Sequence, residues 1–393
     1  MERTLTPRPV LSCRALVIFC SWCVSAHALG AEAVRTPARD EVVETQLLPR
    51  VVKQSLQRLV SLRPESGKQS SKLSPQQRIE SARRLIQASR SSGDPRTLGY
   101  AEAMLAGLPD TGPTAVETLV LRATIEQSRH RFDAARALLD RALERAPSHV
   151  QARLTRAAIE HVRGHLASAR ADCDALRESA PQISLICRAV GDARSGRNAQ
   201  ALQALAGVTD PSLRGWALSL AGEVYEQQGE ADAAVRAYAA SLALGEDLYT
   251  AVALADALIA LHELPQAEAL LQPLPRTDAV MLRRWIVARQ QHRGAIALQT
   301  QLADRFAAAE ARNELLHARE AATFELERGD SVAALKQARR NWNEQREPAD
   351  LQLLALAARA AGDAAALAEV RDWIARTGVR DSRVERALSA GTS

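Results

Sequence analysis

The stretch WALSLAGEVYEQQGEADAAVRAYAASLAL, residues 216–244, reads as two helix-forming segments joined at Gly229. A segment like the second of these recurs in RFDAARALLDRALERAP, residues 131–147, and in HLASARADCDALRESAP, residues 165–181. When the last two stretches are aligned without gaps, Pro147 matches Pro181, and each proline stops a helix. The two prolines are 34 residues apart, and a fixed period of this length indicates an array of helical repeats.

The turn between the paired segments can be followed along most of the chain. It recurs at nearly equal steps, except for one step of double length, from His262 to Gly329, that predicts a divergent unit near residues 280–310. An alanine follows most turns at a fixed offset, and the last unit departs from this with Leu367. The turn positions are His130, Gly164, Gly196, Gly229, His262, Gly329 and Gly362, and the alanines are Ala135, Ala169, Ala201, Ala234, Ala267 and Ala334.

Residues 216–244 resemble a unit of the tetratricopeptide-repeat family. The residues that stand at the spacings of the family are Gly222, Tyr225, Gly229, Ala234 and Tyr238. In such a unit Gly222 lets the two helices approach closely, Ala234 marks the helix crossing, and Tyr238 fills the hollow beside it. Histidine in place of the turn glycine in two other units is a departure from the pattern, and it leaves the exact repeat number open.

The resemblance implies an all-α fold, namely a right-handed α-solenoid in which antiparallel helix pairs stack into a superhelix. It covers roughly residues 78–378, which corresponds to about eight to nine units and about sixteen to eighteen helices. In such an array each unit contacts only its neighbours. A composition rich in alanine, leucine, arginine and glutamate, with only 3% aromatic residues, disfavours a β-sandwich, a barrel or a Rossmann-type sheet.

Residues 1–28 read as a secretory signal peptide. A basic segment precedes a charge-free stretch at residues 15–26, and the alanines at positions 26 and 28 fit the small-x-small cleavage rule. The stretch is shorter than the roughly twenty residues that a membrane-spanning helix needs. We therefore expect an exported protein without stable membrane insertion, located in the periplasm of a Gram-negative bacterium.

Residues 29–77 differ from the repeats in composition. Leu48, Val52, Leu56 and Leu59 share one helical face within residues 47–62, and a polar linker follows. This N-terminal helix is interpreted either as a cap on the array or as a docking helix for a partner, and the third alternative is disorder. Residues 379–393 read as a C-terminal cap or tail, because terminal repeats need a polar outer face.

The charge distribution argues against nucleic-acid binding. The chain carries 51 basic and 46 acidic residues, a net charge of +5, and the arginines are interspersed with acids along its whole length. A phosphate-binding surface needs basic residues clustered on one face. We interpret the balanced pattern as a solvated surface.

No catalytic motif, cofactor motif or metal site is expected from the sequence. His161 and His165 have ligand-like spacing, but Gly164 breaks the helix between them, so they are interpreted as a surface pair that binds nothing. Cys173 and Cys187 are the cysteines that remain after cleavage of the signal peptide. An oxidising compartment permits a bridge between them, and two buried free thiols are the favoured alternative.

These observations favour a non-enzymatic scaffold for protein–protein interactions. The family resemblance implies that a peptide or helix of a partner binds in the concave groove. The alternatives are an accessory subunit of machinery for cell-envelope polysaccharide processing or export, an enzyme with an unrecognised site, and a structural homo-oligomer. The sequence names neither the partner nor the pathway.

The family's offsets for groove-lining residues can be carried onto this register. The set mixes aromatic and acidic side chains, which favours a basic or amine-bearing ligand. It consists of Glu117, Thr124, Gln127, Gln151, His161, Trp216, Glu223, Glu226, Tyr249 and Asp256. Within it, we expect Trp216, Tyr249 and Asp256 to lie close together and to carry much of the affinity.

Overall fold

Helices follow one another in pairs along the chain. In the computed structural model the described residues are 73–94, 96–315 and 317–389, and they contain nineteen helices and no strands. The predicted signal peptide at 1–28 and the predicted helix at 47–62 lie outside these residues. Nine pairs and one terminal helix exceed the predicted sixteen to eighteen helices by one. The expectation of an all-helical right-handed solenoid of stacked antiparallel pairs is confirmed.

The first helix of each pair is longer in most units. The first helices are α1 Pro75–Ser92, α3 Ala115–Ser128, α5 Val150–Arg163, α7 Pro181–Ala193, α9 Pro211–Gln228, α11 Leu248–Ala260, α13 Asp278–Gln290, α15 Ala318–Arg328 and α17 Pro348–Ala360. The second helices are α2 Arg96–Leu105, α4 Phe132–Arg145, α6 Leu166–Asp174, α8 Asn198–Ala206, α10 Ala231–Leu242, α12 Leu264–Leu271, α14 Ile296–Ala311, α16 Ser331–Glu344 and α18 Ala364–Thr377, and α19 spans Ser382–Ser389.

Every pair is joined by the same left-handed backbone turn. A positive φ closes the first helix and directs the chain back along it, which glycine adopts without strain. Histidine is among the residues enriched in this conformation, so the histidines at three turns keep the same geometry. The nine turn residues are Gly93, His130, Gly164, Gly196, Gly229, His262, His292, Gly329 and Gly362, with φ between 55° and 87°. His292 is the turn of the divergent unit predicted near residues 280–310.

The packing inside a unit follows from small residues at the helix crossing. A Cβ on Gly222 would overlap the ring of Tyr238, so this glycine allows α10 to approach α9 as the sequence predicts. Ala234 and Tyr238 are both fully buried in the cluster that joins this unit to the next. The apolar core is thus a series of clusters between successive helices, as expected for stacked pairs.

The expectation that each unit contacts only its neighbours is wrong at one edge of the array. The later part of the chain, residues 345–389 with α17, α18 and α19, contacts earlier units. The backbone N–H of Arg346 donates to the carbonyl of Val162 at 2.7 Å, and Trp373 packs over Gly164. The superhelix therefore winds tightly enough for its second turn to rest on its first.

The contacts between the two superhelical turns advance along both in step. Gln345 reaches His130, with Nε2 3.3 Å from Nδ1. The Gly378 carbonyl lies against Gly196, and Ser382 lies against Gly229. At the opposite end, Gly93 packs against the side chains of Leu248 and Thr277, at the starts of α11 and α13. The residues that join the paired helices of the first five units thus form a rim that later parts of the chain cover. This rim consists of Gly93, His130, Gly164, Gly196 and Gly229.

Candidate partner-binding groove

The first helices form the inner wall of the array. First helices of successive units approach each other more closely than the second helices do, as in the α3–α5, α5–α7 and α15–α17 pairs. A curved stack brings its inner elements together and spreads its outer ones. The inner wall is therefore the concave surface of the array, and we call it the groove.

Two aromatic residues of the predicted set occupy this wall. Trp216 and Glu223 are seven residues apart on α9, and Tyr249 and Asp256 are seven apart on α11, so each pair shares a helix face. The Tyr249 hydroxyl donates to Glu223 Oε1 at 2.9 Å and links the two helices. Tyr249 is 54% exposed and Trp216 is 36% exposed, so both present aromatic area to solvent.

Two of the acidic groove residues are already paired with arginines. Arg283 donates to Asp256 in a bidentate pair, with both nitrogen–oxygen distances 2.8 Å. Glu226 accepts a hydrogen bond from the hydroxyl of Tyr238 at 2.8 Å, and the Arg383 guanidinium lies 3.4 Å away. These carboxylates are therefore partly neutralised within the protein.

Glu223 is different, because among the described residues no arginine or lysine nitrogen lies within 4 Å of its carboxylate. Burial and the Glu347 carboxylate raise the pKa of Glu223 to about 7. The same carboxylate of Glu223 is the main cause that raises the pKa of Tyr249 well above its ordinary value. Among the described groove acids, Glu223 is thus the one whose carboxylate has no ion-pair partner.

The facing side of the groove carries a network of arginines and acids. Glu347 accepts from Arg194 at 2.9 Å and from Arg319 at 2.6 Å, and it thereby joins the two superhelical turns. Arg319 also donates to the fully buried Asp350, at 2.6 and 2.9 Å. Burial opposes the ionisation of Glu347, but Arg319 and Arg194 outweigh it and hold its pKa below the ordinary value. Glu347 is therefore charged at neutral pH.

The N-terminal part of the predicted set is more dispersed. The Glu117 carboxylate pairs with Arg83 at 2.9 Å and with His149 at 3.0 Å. Gln151 is exposed, and its amide donates to Thr155 within α5. Gln127 is half-buried, whereas Thr124 is buried and donates its hydroxyl to the carbonyl of Val120. Thr124 therefore contributes to the helix and presents little surface to a partner.

His161 is buried, contrary to its interpretation as a surface residue. Only 4% of it is exposed, because the ring packs into the space that Gly191 leaves on α7. His165 is the exposed member of the pair, and its Nδ1 lies 2.7 Å from a carboxylate oxygen of Glu160. The two histidines thus occupy different environments, and His161 lies between units instead of in the groove.

Cys173 and Cys187 form a disulfide, with their Cα atoms 5.5 Å apart. The favoured expectation of two free thiols is therefore wrong. The bond joins α6 to α7, and both residues are buried. His161, Cys173 and Cys187 also bring three potential metal-ligand atoms within 4.8 Å of one another, the one such group of histidine, cysteine and acidic side chains within residues 73–94, 96–315 and 317–389.

The sequence reasoning missed the arginines of the groove. It stopped at α11, and Arg283 lies nine residues before the turn at His292, whereas Tyr249 lies thirteen before the turn at His262. The short step between these two turns takes Arg283 out of the register that located Tyr249. Arg194 and Glu347 could not have been paired from the register either, because their contact depends on the winding of the whole superhelix.

Comparisons with known proteins agree with this architecture. No protein-family model and no curated protein matches the sequence. Among solved structures, the APC/C hetero-tetramer Cut9–Hcn1 matches with a TM-score of 0.51 and 16% identity, over 80% of this chain. The chain has the tetratricopeptide-repeat fold. This chain spans 63% of the length of the matched chain, so the assembly that the matched protein forms is not carried over to this one.

Two further repeat structures were found at lower similarity. A tetratricopeptide repeat protein from Parabacteroides merdae has a TM-score of 0.38 and 15% identity, over 68% of this chain and 99% of that one. The Rap protein complexed with competence and sporulation factor has a TM-score of 0.43 and 12% identity, over 86% of this chain and 92% of that one. Within the described part of this repeat array, no helix is both long and apolar enough to cross a membrane.

Proposed function

We propose that the protein is a non-enzymatic scaffold that binds an extended or helical segment of a partner protein in the groove. We propose further that the segment inserts a basic side chain beside Glu223. In this proposal the protein is exported and acts in the periplasm. Glu117, Gln127 and Gln151 extend the surface towards the N-terminal units.

The observation that carries the proposal is the pairing of Glu223 with the exposed Tyr249. An aromatic residue that is more than half exposed is a strong anchor, because its burial by a partner removes a large apolar area from water. The hydroxyl of Tyr249 orients the carboxylate of Glu223 towards the same space. A ligand ammonium or guanidinium would supply the counter-charge that Glu223 lacks.

The charges around the pair would select the ligand. Arg194 and Arg319 are engaged by Glu347 and Asp350, so they offer little to an acidic segment. An acidic segment would also meet Glu223 and Glu347, and like charges at an interface disfavour the wrong partner. A segment with a lysine or arginine flanked by apolar residues fits the surface best.

A peptide-display selection on the purified protein tests this proposal. We expect enrichment of peptides that contain a basic residue next to an apolar one. The triple variant Trp216→Ala, Tyr249→Ala, Asp256→Ala should lose the selected peptides, and Glu223→Gln alone should weaken basic peptides in particular. Circular dichroism should show the same helical signal for all variants.

The control is a double variant with exposed apolar residues outside the groove, Ile296→Ala and Val332→Ala. These side chains are 79% and 75% exposed, so their removal should leave both the fold and peptide binding unchanged. Equal binding by the wild type and the triple variant would contradict the proposed site. Enrichment of acidic peptides would contradict the proposed ligand chemistry.

A further inference from the structure

We infer that His161, Cys173 and Cys187 form a three-coordinate Cu⁺ site when the disulfide is reduced, so that the oxidation state of the cysteines switches metal binding off and on. The disulfide form uses both sulfurs for the S–S bond and leaves one ligand. The dithiol form offers two sulfurs and one imidazole nitrogen at the same place.

The geometry of the cluster already resembles a metal site. The three ligand atoms lie within 4.8 Å of one another, and His161 Nε2 is 3.9 Å from Cys173 Sγ. Two ligands with metal bonds of about 2.0–2.3 Å lie about 3.5–4 Å apart around a trigonal ion. Reduction therefore requires mainly that the Cys187 sulfur move away from that of Cys173.

The number and type of the ligands select the ion. Thiolate sulfur and imidazole nitrogen are soft or borderline ligands that favour Cu⁺ and Zn²⁺ over Mg²⁺ or Ca²⁺. Zn²⁺ in structural sites almost always takes four ligands. The described residues supply three side-chain ligands here, all of them buried, so water is a poor source of a fourth.

The surroundings of His161 are also suited to a ligand. Its Nε2 atom, the nitrogen near the Cys173 sulfur, lies 3.3 Å from the Cys187 carbonyl oxygen, and its Nδ1 atom is buried without a hydrogen-bond partner. With the ring proton on Nδ1, the electron pair of Nε2 would be available to the ion. The Arg194 guanidinium donates to the His161 carbonyl at 2.6 Å and to the Glu347 carboxylate at 2.9 Å, so it holds the His161 backbone in place beside the second superhelical turn.

The switch requires a dithiol reductant. Such a dithiol transfers two electrons and two protons to the Cys173–Cys187 bond, which breaks to give two thiols, while the dithiol closes to its own disulfide. Cu⁺ then binds both sulfurs and the imidazole nitrogen, and each thiol releases its proton to solvent. Re-oxidation requires a disulfide oxidant, which accepts the two electrons of the thiolates, takes up two protons from solvent and becomes a dithiol, while the Cys173–Cys187 bond re-forms and the ion is released.

The test is an anaerobic titration of the full chain with Cu⁺ in competition with a chromophoric Cu⁺ chelator. One sample is reduced with dithiothreitol and desalted, and the other retains its disulfide. We expect one tightly bound Cu⁺ per reduced chain above the background of the double variant Cys173→Ser, Cys187→Ser, and no binding above that background by the oxidised chain. X-ray absorption should show two sulfur ligands and one nitrogen ligand.

Substitution of the histidine separates a ligand from a residue that only packs. His161→Asn should weaken Cu⁺ binding by more than about tenfold, since loss of a group that merely supports a ligand already costs roughly 10–100-fold. His165→Asn, just before the start of α6 and outside the cluster, is the matched control and should bind as the wild type does. The disulfide of His161→Asn should still form, which shows that the variant is folded at this place.

Several results would overturn the inference. Equal Cu⁺ affinity of His161→Asn and the wild type would remove the histidine from the site. Binding by the oxidised chain above the background of the double cysteine variant would remove the switch. A four-coordinate site, or tight binding of Zn²⁺ with no binding of Cu⁺, would overturn the assignment of the ion.

Discussion

Gly196 and Gly329 occupy the same position in two units of the array, and their surroundings differ. Both have the left-handed backbone of the helix turn, with φ of 73° and 87°. A Cβ on Gly196 would overlap the carbonyl oxygen of Gly378, whereas a Cβ on Gly329 would meet nothing within 4 Å. The repeat therefore imposes one backbone everywhere, and the winding of the superhelix adds a second requirement, for space, only along the covered rim.

The largest effect should come from a side chain placed on the covered rim. Gly196→Ala should lower the free energy of unfolding by about 1–2 kcal/mol for the left-handed alanine and by about 1–3 kcal/mol more for overpacking against backbone. Gly329→Ala should show only the first contribution. Urea unfolding of both variants measures the difference. If both lose the same stability, the two superhelical turns do not touch at Gly196.

A substitution inside one unit should show how far damage travels. Ala234→Leu should cost about 1–3 kcal/mol, because Ala234 is fully buried at the helix crossing. The turn of this unit, Gly229, contacts Ser382 of α19. Hydrogen exchange followed by mass spectrometry should therefore become faster in residues 382–389 as well as in the neighbouring units.

The matched control for this experiment is Ala239→Leu, at an exposed position of the same helix. It should leave exchange unchanged. If the damage of Ala234→Leu stays within its own and adjacent units, the array behaves as an open solenoid, and the contact between Gly229 and Ser382 carries little free energy.

The pH dependence of the free energy of unfolding should report on the burial of Glu223 in the groove. The pKa of Glu223 is raised to about 7 in the folded protein, so between about pH 4.5 and 7 the folded state binds more protons at this group than the unfolded state. Its contribution to stability is present below this range and is lost as the pH rises through it. Relative to the wild type, Glu223→Gln should gain stability between these pH values, as measured by urea unfolding. Parallel stability curves would show that Glu223 is fully solvated.

The smallest effect should come from an ion pair that crosses the rim. Arg163 and Glu344 lie 2.6 Å apart and are partly exposed, so Glu344→Gln should cost only about 0.2–1 kcal/mol. The difference should shrink in about 1 M salt, where the Debye length is about 3 Å. Glu310→Gln removes a pair of equal length to Lys336 that does not cross between superhelical turns. A cost of several kcal/mol for Glu344→Gln alone would mean that this pair, and not the packing, closes the superhelix.

The sequence predicts the structural features that depend on the residues of a single unit. The period located the helix pairs and their turns, and the spacings of Gly222 and Tyr238 predicted a contact that the structure contains. These features depend on helix propensity, on backbone conformation and on the space at one crossing. They repeat along the chain, so each unit supplies independent evidence for the others.

The remaining features depend on properties that no single unit shows. A small rotation between neighbouring units adds up over nine of them, and the sum decides whether Arg194 meets Glu347. Likewise, His161 has the offset of a groove residue, but the missing side chain of Gly191 in the next unit draws it inward. Glu223 and Tyr249, which pair along the repeat, could be found from the register, whereas the residues that pair across the winding could not.

The stepwise contact between the two superhelical turns also fixes the number of units between Gly229 and Gly329. If one unit were inserted or deleted between Gly229 and Gly329, the second turn would shift by one position against the first. Trp373 would then no longer lie over Gly164, and the carbonyl of Gly378 would meet the wrong neighbour. Open solenoids tolerate the gain and loss of units, but here the contacts between the two superhelical turns form in one register only. The number of repeats between the two contacting layers is thus set by the geometry of their contacts.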